Sequence, residues 1–161
     1  MQKHNISFEL SEVESIAALA PDERNLMQKA IAAREGAYAP YSNFHVGAAV
    51  LMENGAIVIG SNQENASYPS GLCAERVAIF HAGALYPGET ITAIAITASA
   101  KAYTVDRPAA PCGNCRQSIS EYETKQKAPI RILFMGAVGP VFIAEAMADL
   151  LPLAFNSTFL K

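Results

Sequence analysis

Three cysteines and one glutamate stand out by type and spacing: Cys73-Ala-Glu75-Arg76, and Pro111-Cys112-Gly-Asn-Cys115-Arg-Gln117. Both stretches sit where helices are expected to begin. Unpaired N–H groups and the positive end of the helix dipole stabilise anions there, which favours thiolate, the form that binds zinc. Cys112 and Cys115 stand three apart and face the same way on a first helical turn, while Cys73 supplies a third sulfur from a neighbouring helix. Zinc with three protein ligands keeps one of its four positions open, the mark of a catalytic rather than a structural site. Glu75 is placed as the proton carrier, not as a ligand. Two residues apart on a regular helix point to nearly opposite sides, so Cys73 is expected at the helix cap with non-helical dihedrals. Three thiolates overcompensate a divalent ion, and Arg76 can offset the excess by donating to the sulfurs. Taken alone, Cys112-x-x-Cys115 is equally a redox motif, and Glu75 alone a solvated carboxylate at a helix start; the combination favours metal.

The elements that must position these residues are read from periodicity and punctuation. Ile6, Phe8 and Leu10 alternate with polar residues and suggest a short strand or arm within residues 1–21. A helix follows from Asp22 as cap, with Leu26, Ala30, Ala33 and Ala37 on one face and Gly36 at its stop. Val46–Met52 and Ile57–Gly60 flank Asn54-Gly55, a hairpin signal in which both turn residues accept positive φ. Helices are expected from about Cys73 to Leu85, from Pro111 at the first helical position to about Glu123, and from about Ala144 to Leu151. Ile91–Ala98 and Ile130–Met135 read as strands, and Val141–Ile143 must return antiparallel because too few residues intervene for a crossover. The order gives an α/β domain over residues 22–161, three layers (α-β-α) around a mixed sheet of about five strands.

The length, 161 residues, accommodates one core. Half the residues are apolar (51%) and 17% are charged, which is globular, and no apolar run approaches a membrane span. The first ten residues lack the apolar centre of a secretory signal, so a soluble, cytoplasmic protein is expected, and three clustered cysteines there serve metal or catalysis more often than disulfides. A net charge of −3 offers no footprint for a long polyanion. His4, His45 and His81 are scattered without ligand spacing.

Cys-x-Glu followed by Pro-Cys-x-x-Cys is the signature of zinc deaminases. Together with Tyr41-Ser-Asn-Phe44, Val46-Gly-Ala-Ala49, Asn62-Gln-Glu-Asn-Ala-Ser-Tyr68 and Leu150-Leu-Pro-Leu-Ala-Phe155, it makes the sequence from about Ala30 to Phe155 resemble the small, tetrameric, three-cysteine class of cytidine deaminases. The resemblance implies one zinc ion per subunit, hydrolytic deamination of cytidine or deoxycytidine in pyrimidine salvage, and a homotetramer whose active sites are shared between subunits. It implies that Asn62 and Glu64 grip the sugar hydroxyls, that Phe44 packs on the base, that Ala74 is a further substrate contact, and that Ala66, Tyr68 and Phe155 complete a neighbouring subunit's pocket. Ala110 departs from the small hydroxyl residue that many members carry before Pro-Cys, so only a backbone contact to the amino group can survive there. Arg116 is open between structural pairing and support of the site. Without the resemblance, Asn62 and Glu64 read as turn residues, Phe44 as core, and Tyr68 and Phe155 as ordinary packing. The rival activities are deamination of a base within nucleic acid or of another cytosine-containing small molecule, and the rival class is a non-catalytic zinc or redox module.

Overall fold

A computed structural model describes residues 1–160. Its scaffold is a six-stranded sheet, Ser11–Val13 (β1), Phe44–Met52 (β2), Ile57–Ser61 (β3), Ile91–Ala100 (β4), Arg131–Met135 (β5) and Val141–Ala144 (β6), in the order β1-β6-β5-β4-β2-β3. β4 and β5 pair in parallel, and every other pairing is antiparallel. The helices are Pro21–Arg34 (α1), Ala74–Leu85 (α2) and Gly113–Gln126 (α3). The central strands are apolar nearly throughout because helices cover both faces. Alternate residues of one strand therefore enter different cores. Ala48, Val50 and Met52 pack with Ala78, Ile79 and Ile119 on the α2/α3 side, whereas Ala49 packs with Leu26, Met27 and Ala30 of α1. This is the expected α-β-α sandwich.

Several expectations need correction. The sheet has a sixth strand, β1, which lies after the alternating residues 6–10 rather than on them. Ser11, Glu12 and Val13 meet Ile143, Phe142 and Val141 of the otherwise free edge of β6, while Ile6 and Phe8 remain exposed. A strand forms where a ladder partner is available, and alternation alone supplies none. The expected helix over 144–151 is a single 3₁₀ turn, Met147–Asp149. Ala144 is taken by β6 opposite Ile132, and the few residues left before Pro152 are too short to nucleate a helix. At α1 the cap is Ala20, not Asp22: Pro21 occupies the first helical position, and Asp22 and Glu23 lie in the first turn, favourable to the dipole. Pro111 lies outside its helix, which starts at Gly113 after Cys112. In the β2–β3 turn only Gly55 has positive φ (84°), and Gly55 N–H donates to Met52 O at 2.9 Å while Met52 N–H donates to Ala56 O at 2.9 Å. The connection is thus a type I turn closed by a glycine bulge, in which Asn54 keeps ordinary dihedrals.

One close approach sets where α2 sits. A Cβ on Gly60 of β3 would lie 2.5 Å from Ala78 N and 2.6 Å from Ala74 O, so the first turns of α2 rest directly on the strand backbone. Both obstructing atoms are backbone. Gly60→Ala is expected to destabilise the fold by ~1–3 kcal/mol, the range for overpacking, checked by the denaturant midpoint. An unchanged midpoint would mean that α2 yields freely there.

Candidate metal centre and active site

Helix starts place the sulfurs. Cys73 is the N-cap of α2 with φ −71° and ψ 153°, and Cys112 is the N-cap of α3 with φ −68° and ψ 167°. Both caps are extended and neither side chain bonds to its own helix start, and the expected non-helical Cys73 is found. Cys115, fully buried, follows in the first turn of α3. The Sγ atoms of Cys73 and Cys112 are 3.8 Å apart, those of Cys112 and Cys115 3.5 Å, and all three lie within 4.8 Å of one another. All three thiols are free. Tetrahedral zinc with bonds of about 2.3 Å separates its sulfurs by about 3.8 Å, so this spacing fits zinc ligation.

The charge distribution points the same way. The Cys73 thiol is pulled down to about 5, first by a hydrogen bond from Cys115 and further by Cys112 and the Arg76 guanidinium, against the effect of burial. Cys115 is driven strongly upward because it holds the proton that Cys73 accepts, and because it is buried. Cys73 thus leans toward thiolate while Cys115 keeps its proton, and a bound dication would let both ionise. Glu75, one residue past the first position of α2, is only 4% exposed, and its carboxyl is pushed up by burial and then by the charge on Cys73. Arg76 also donates to Gly71 O at 3.4 Å.

Cys73, Glu75, Arg76 and Cys112 line one part of a cavity of about 780 Å³. Phe44, Asn62, Glu64 and Tyr68 line it as well. Cys115 and Ala74 are buried and Ala66 and Phe155 exposed, all four outside its lining. Phe155 stacks on Phe159 with ring centroids 5.6 Å apart. Asn62 and Glu64 already make hydrogen bonds within the chain. Asn62 Nδ2 donates to Phe44 O at 2.9 Å, and its Oδ1 accepts from Val46 N at 2.8 Å. Glu64 accepts from the backbone N–H of Tyr41 (2.9 Å) and Ser42 (3.3 Å) and from the Ser42 hydroxyl. That hydroxyl bond, ahead of the two backbone bonds, holds the Glu64 carboxyl below its ordinary range. Each side chain still has unused capacity, one N–H and one lone pair on Asn62 and roughly one acceptor site on Glu64.

Sequence reasoning gave no role to several lining residues. Ile96 and Ala98 present one face of β4 to the cavity, and Ala109 forms a wall before Cys112 together with Ala110, the position the resemblance had already marked. The period-two pattern of β4 could have indicated Ile96 and Ala98; nothing local marks Ala109. Ser42, in the Tyr41-Ser-Asn-Phe44 run, braces the site by accepting from Phe44 N at 3.0 Å while donating to Glu64. Arg116 turns inward to structure: Nε donates to Pro111 O and Nη1 to Leu150 O, both at 2.8 Å, tying the segment before Cys112 to the C-terminal region.

With this geometry in hand, comparison with known proteins gives a consistent result. Residues 21–128 match the family model for the cytidine and deoxycytidylate deaminase zinc-binding region. The cytidine deaminase of Halalkalibacterium halodurans is 41% identical over 139 residues, covering 84% of this chain and 96% of that protein. A Mycobacterium tuberculosis cytidine deaminase is 34% identical over 135 residues, covering 84% and 90%. Among solved structures, the cytidine deaminase from Burkholderia pseudomallei superposes with a TM-score of 0.71 at 44% identity, covering 81% of this chain and 97% of that one. The fold, the three-sulfur cluster and these matches agree: this chain belongs to the cytidine and deoxycytidylate deaminase zinc-binding family.

Proposed function

We propose that this protein hydrolyses cytidine and deoxycytidine to uridine and deoxyuridine with release of ammonia. The observation that carries this reading is the juxtaposition of three mutually close sulfurs with buried Glu75 on a cavity large enough for a nucleoside. Cys73, Cys112 and Cys115 would hold zinc, with Arg76 donating to the sulfurs and drawing charge from them. Zinc in that position supplies Lewis acidity that lowers the pKa of water toward neutrality.

The chain's own residues do the rest. The Glu75 carboxyl takes one proton from water as the water oxygen bonds to the carbon bearing the amino group, and delivers that proton to the adjacent ring nitrogen. It then takes the second proton from the added hydroxyl and passes it to the amino nitrogen, which leaves as ammonia while the carbonyl forms. Its burial favours the neutral, proton-bearing form between these transfers. Phe44 packs on the base, and the unused hydrogen-bonding capacity of Asn62 and Glu64 meets the sugar hydroxyls. Arg76 is the one cation among the described lining residues and is engaged with sulfur, which favours free nucleosides over nucleotides, since a phosphate would want a guanidinium or ammonium of its own. The same acidic, cation-poor character argues against a base within nucleic acid.

The reading extends to a homotetramer in which Ala66, Tyr68 and Phe155 reach a neighbouring pocket. Tyr68 is 76% exposed and Phe155 56%, large rings left on the surface of a single chain. It also extends to a cytoplasmic role in pyrimidine salvage, where reducing conditions keep the thiols available. No helix among the described residues is long and apolar enough to cross a membrane. The machinery lies beyond residue 21, and the N-terminal residues serve as an arm that carries the edge strand β1 and leads into α1. The test is zinc per chain, mass by light scattering, and the absorbance change on cytidine, deoxycytidine and deoxycytidylate in one preparation. Metal-free protein that turns over cytidine, or a clear preference for the nucleotide, would overturn the reading. Phe44→Ala is expected to raise KM about tenfold with little change in kcat, because base stacking on an aromatic contributes ~1–3 kcal/mol to binding; an unchanged KM would remove Phe44 from the base site.

A further inference from the structure

The segment joining β4 to α3 carries Ala109 and Ala110 of the cavity wall and ends on Cys112, yet it contains no regular structure of its own. What holds it comes from the opposite face of the sheet. Thr97, fully buried, points toward α1, since its neighbours Ile96 and Ala98 face the cavity. Its Oγ1 accepts from Arg34 Nη1 at 3.1 Å and donates to Gly136 O at 2.8 Å. Arg34 can reach it because the opposing β2 residue is Gly47, where a Cβ would lie 2.0 Å from Ala30 O. Gly136 opens the β5–β6 turn, and that turn grips the segment. A Cβ on Gly136 would lie 2.3 Å from Val105 O, and the Ala137 N–H donates to Val105 O at 2.7 Å. A Cβ on Gly139, at φ 93°, would lie 2.6 Å from Asp106 O. From there Pro108 and Pro111 restrict the run to Cys112, and Arg116 fixes the Pro111 carbonyl.

We propose that Thr97 is a positioning residue for the reaction centre: its buried hydroxyl, oriented by Arg34, seats the β5–β6 turn and thereby fixes the segment that delivers Cys112 and the adjoining cavity wall. It never touches substrate or metal. The inference rests on the three-sulfur site proposed above, but its main readout does not. In zinc-loaded full-length protein, Thr97→Val keeps the shape and removes the hydroxyl, leaving Gly136 O without its buried hydroxyl donor and Arg34 Nη1 with only its longer bond to Ala98 O at 3.4 Å. Amide exchange at Ala137 is expected to accelerate about tenfold or more, while the β2–β3 ladder keeps its protection. Zinc release to a chelator should accelerate in parallel, and Thr97→Ser, which restores the hydroxyl, should return both toward the parent.

Parent-like exchange at Ala137 in Thr97→Val overturns the proposal. So does acceleration spread equally over the β2–β3 ladder, which means global loosening, or a Thr97→Ser variant that behaves like Thr97→Val, which means methyl packing. Should Thr97→Val fail to fold, Arg34→Met removes the donor from the other end. It is expected to shift the same two readouts in the same direction, and parent values in both would equally sink the idea. If the parent protein binds no zinc, the functional reading fails while the Ala137 exchange result still decides the role of Thr97.

Discussion

Glu75→Gln is expected to fold, to carry zinc and to lose turnover by ~10²–10⁴, the range over which a positioned general acid–base acts. The side chains have nearly the same shape, but an amide cannot relay protons from water to the ring nitrogen and to the departing amino nitrogen. Stability should not suffer. Glu75 is almost completely buried, and burial already works against its charge, so a neutral amide fits the pocket at least as well. The three sulfurs remain, so metal content should match the parent. The loss should fall on kcat with KM little changed, because the proton relay belongs to the transition state and not to nucleoside binding. Paired measurements of kcat, KM, metal per chain and melting temperature decide the matter. Turnover near the parent value would reject Glu75 as the proton carrier, and a collapse in metal content would recast it as part of the metal-binding framework.

The readability of that site in the sequence has a physical reason. Cys112-x-x-Cys115 at the start of a helix fixes two sulfurs by local geometry, and the expectation that Cys73 must be an extended cap follows from the period of a helix; neither needs a long-range contact to be known. The central strands were equally legible, because burial on both faces writes an unbroken apolar run into β2 and β4. Elements at the ends of the chain behaved differently. β1 exists through the free edge of β6, and the stretch after Ala144 forgoes its helix because β6 takes its first residue. Those outcomes depend on partners distant in sequence, which alternation and periodicity do not encode. The same holds within the cavity. That Asn62 secures Phe44 O and Val46 N, or that Ser42 braces Glu64, depends on how the loop before β2 meets the one after β3. Motifs there carried the residues but not their mutual bonding.

Cys115→Ser is the second large effect expected, this time on the metal. At neutral pH a serine hydroxyl is a protonated, hard oxygen and a poor zinc ligand beside two thiolates. The affinity loss should exceed the ~10–100-fold typical of changes to outer hydrogen-bond partners, leaving zinc-poor protein with little activity. The fold itself should survive. In the metal-free cluster Cys115 serves Cys73 as a proton donor, and a serine O–H can occupy the same place in that bond. This separates loss of a ligand from loss of structure by a simple comparison. Binding to the native state stabilises by mass action, so a strong chelator should lower the melting temperature of the parent protein and leave that of Cys115→Ser where it was. Full zinc occupancy in the variant, or an equal chelator-induced drop in both proteins, would show that the buried sulfur is not a ligand and that the metal, if present, is held elsewhere.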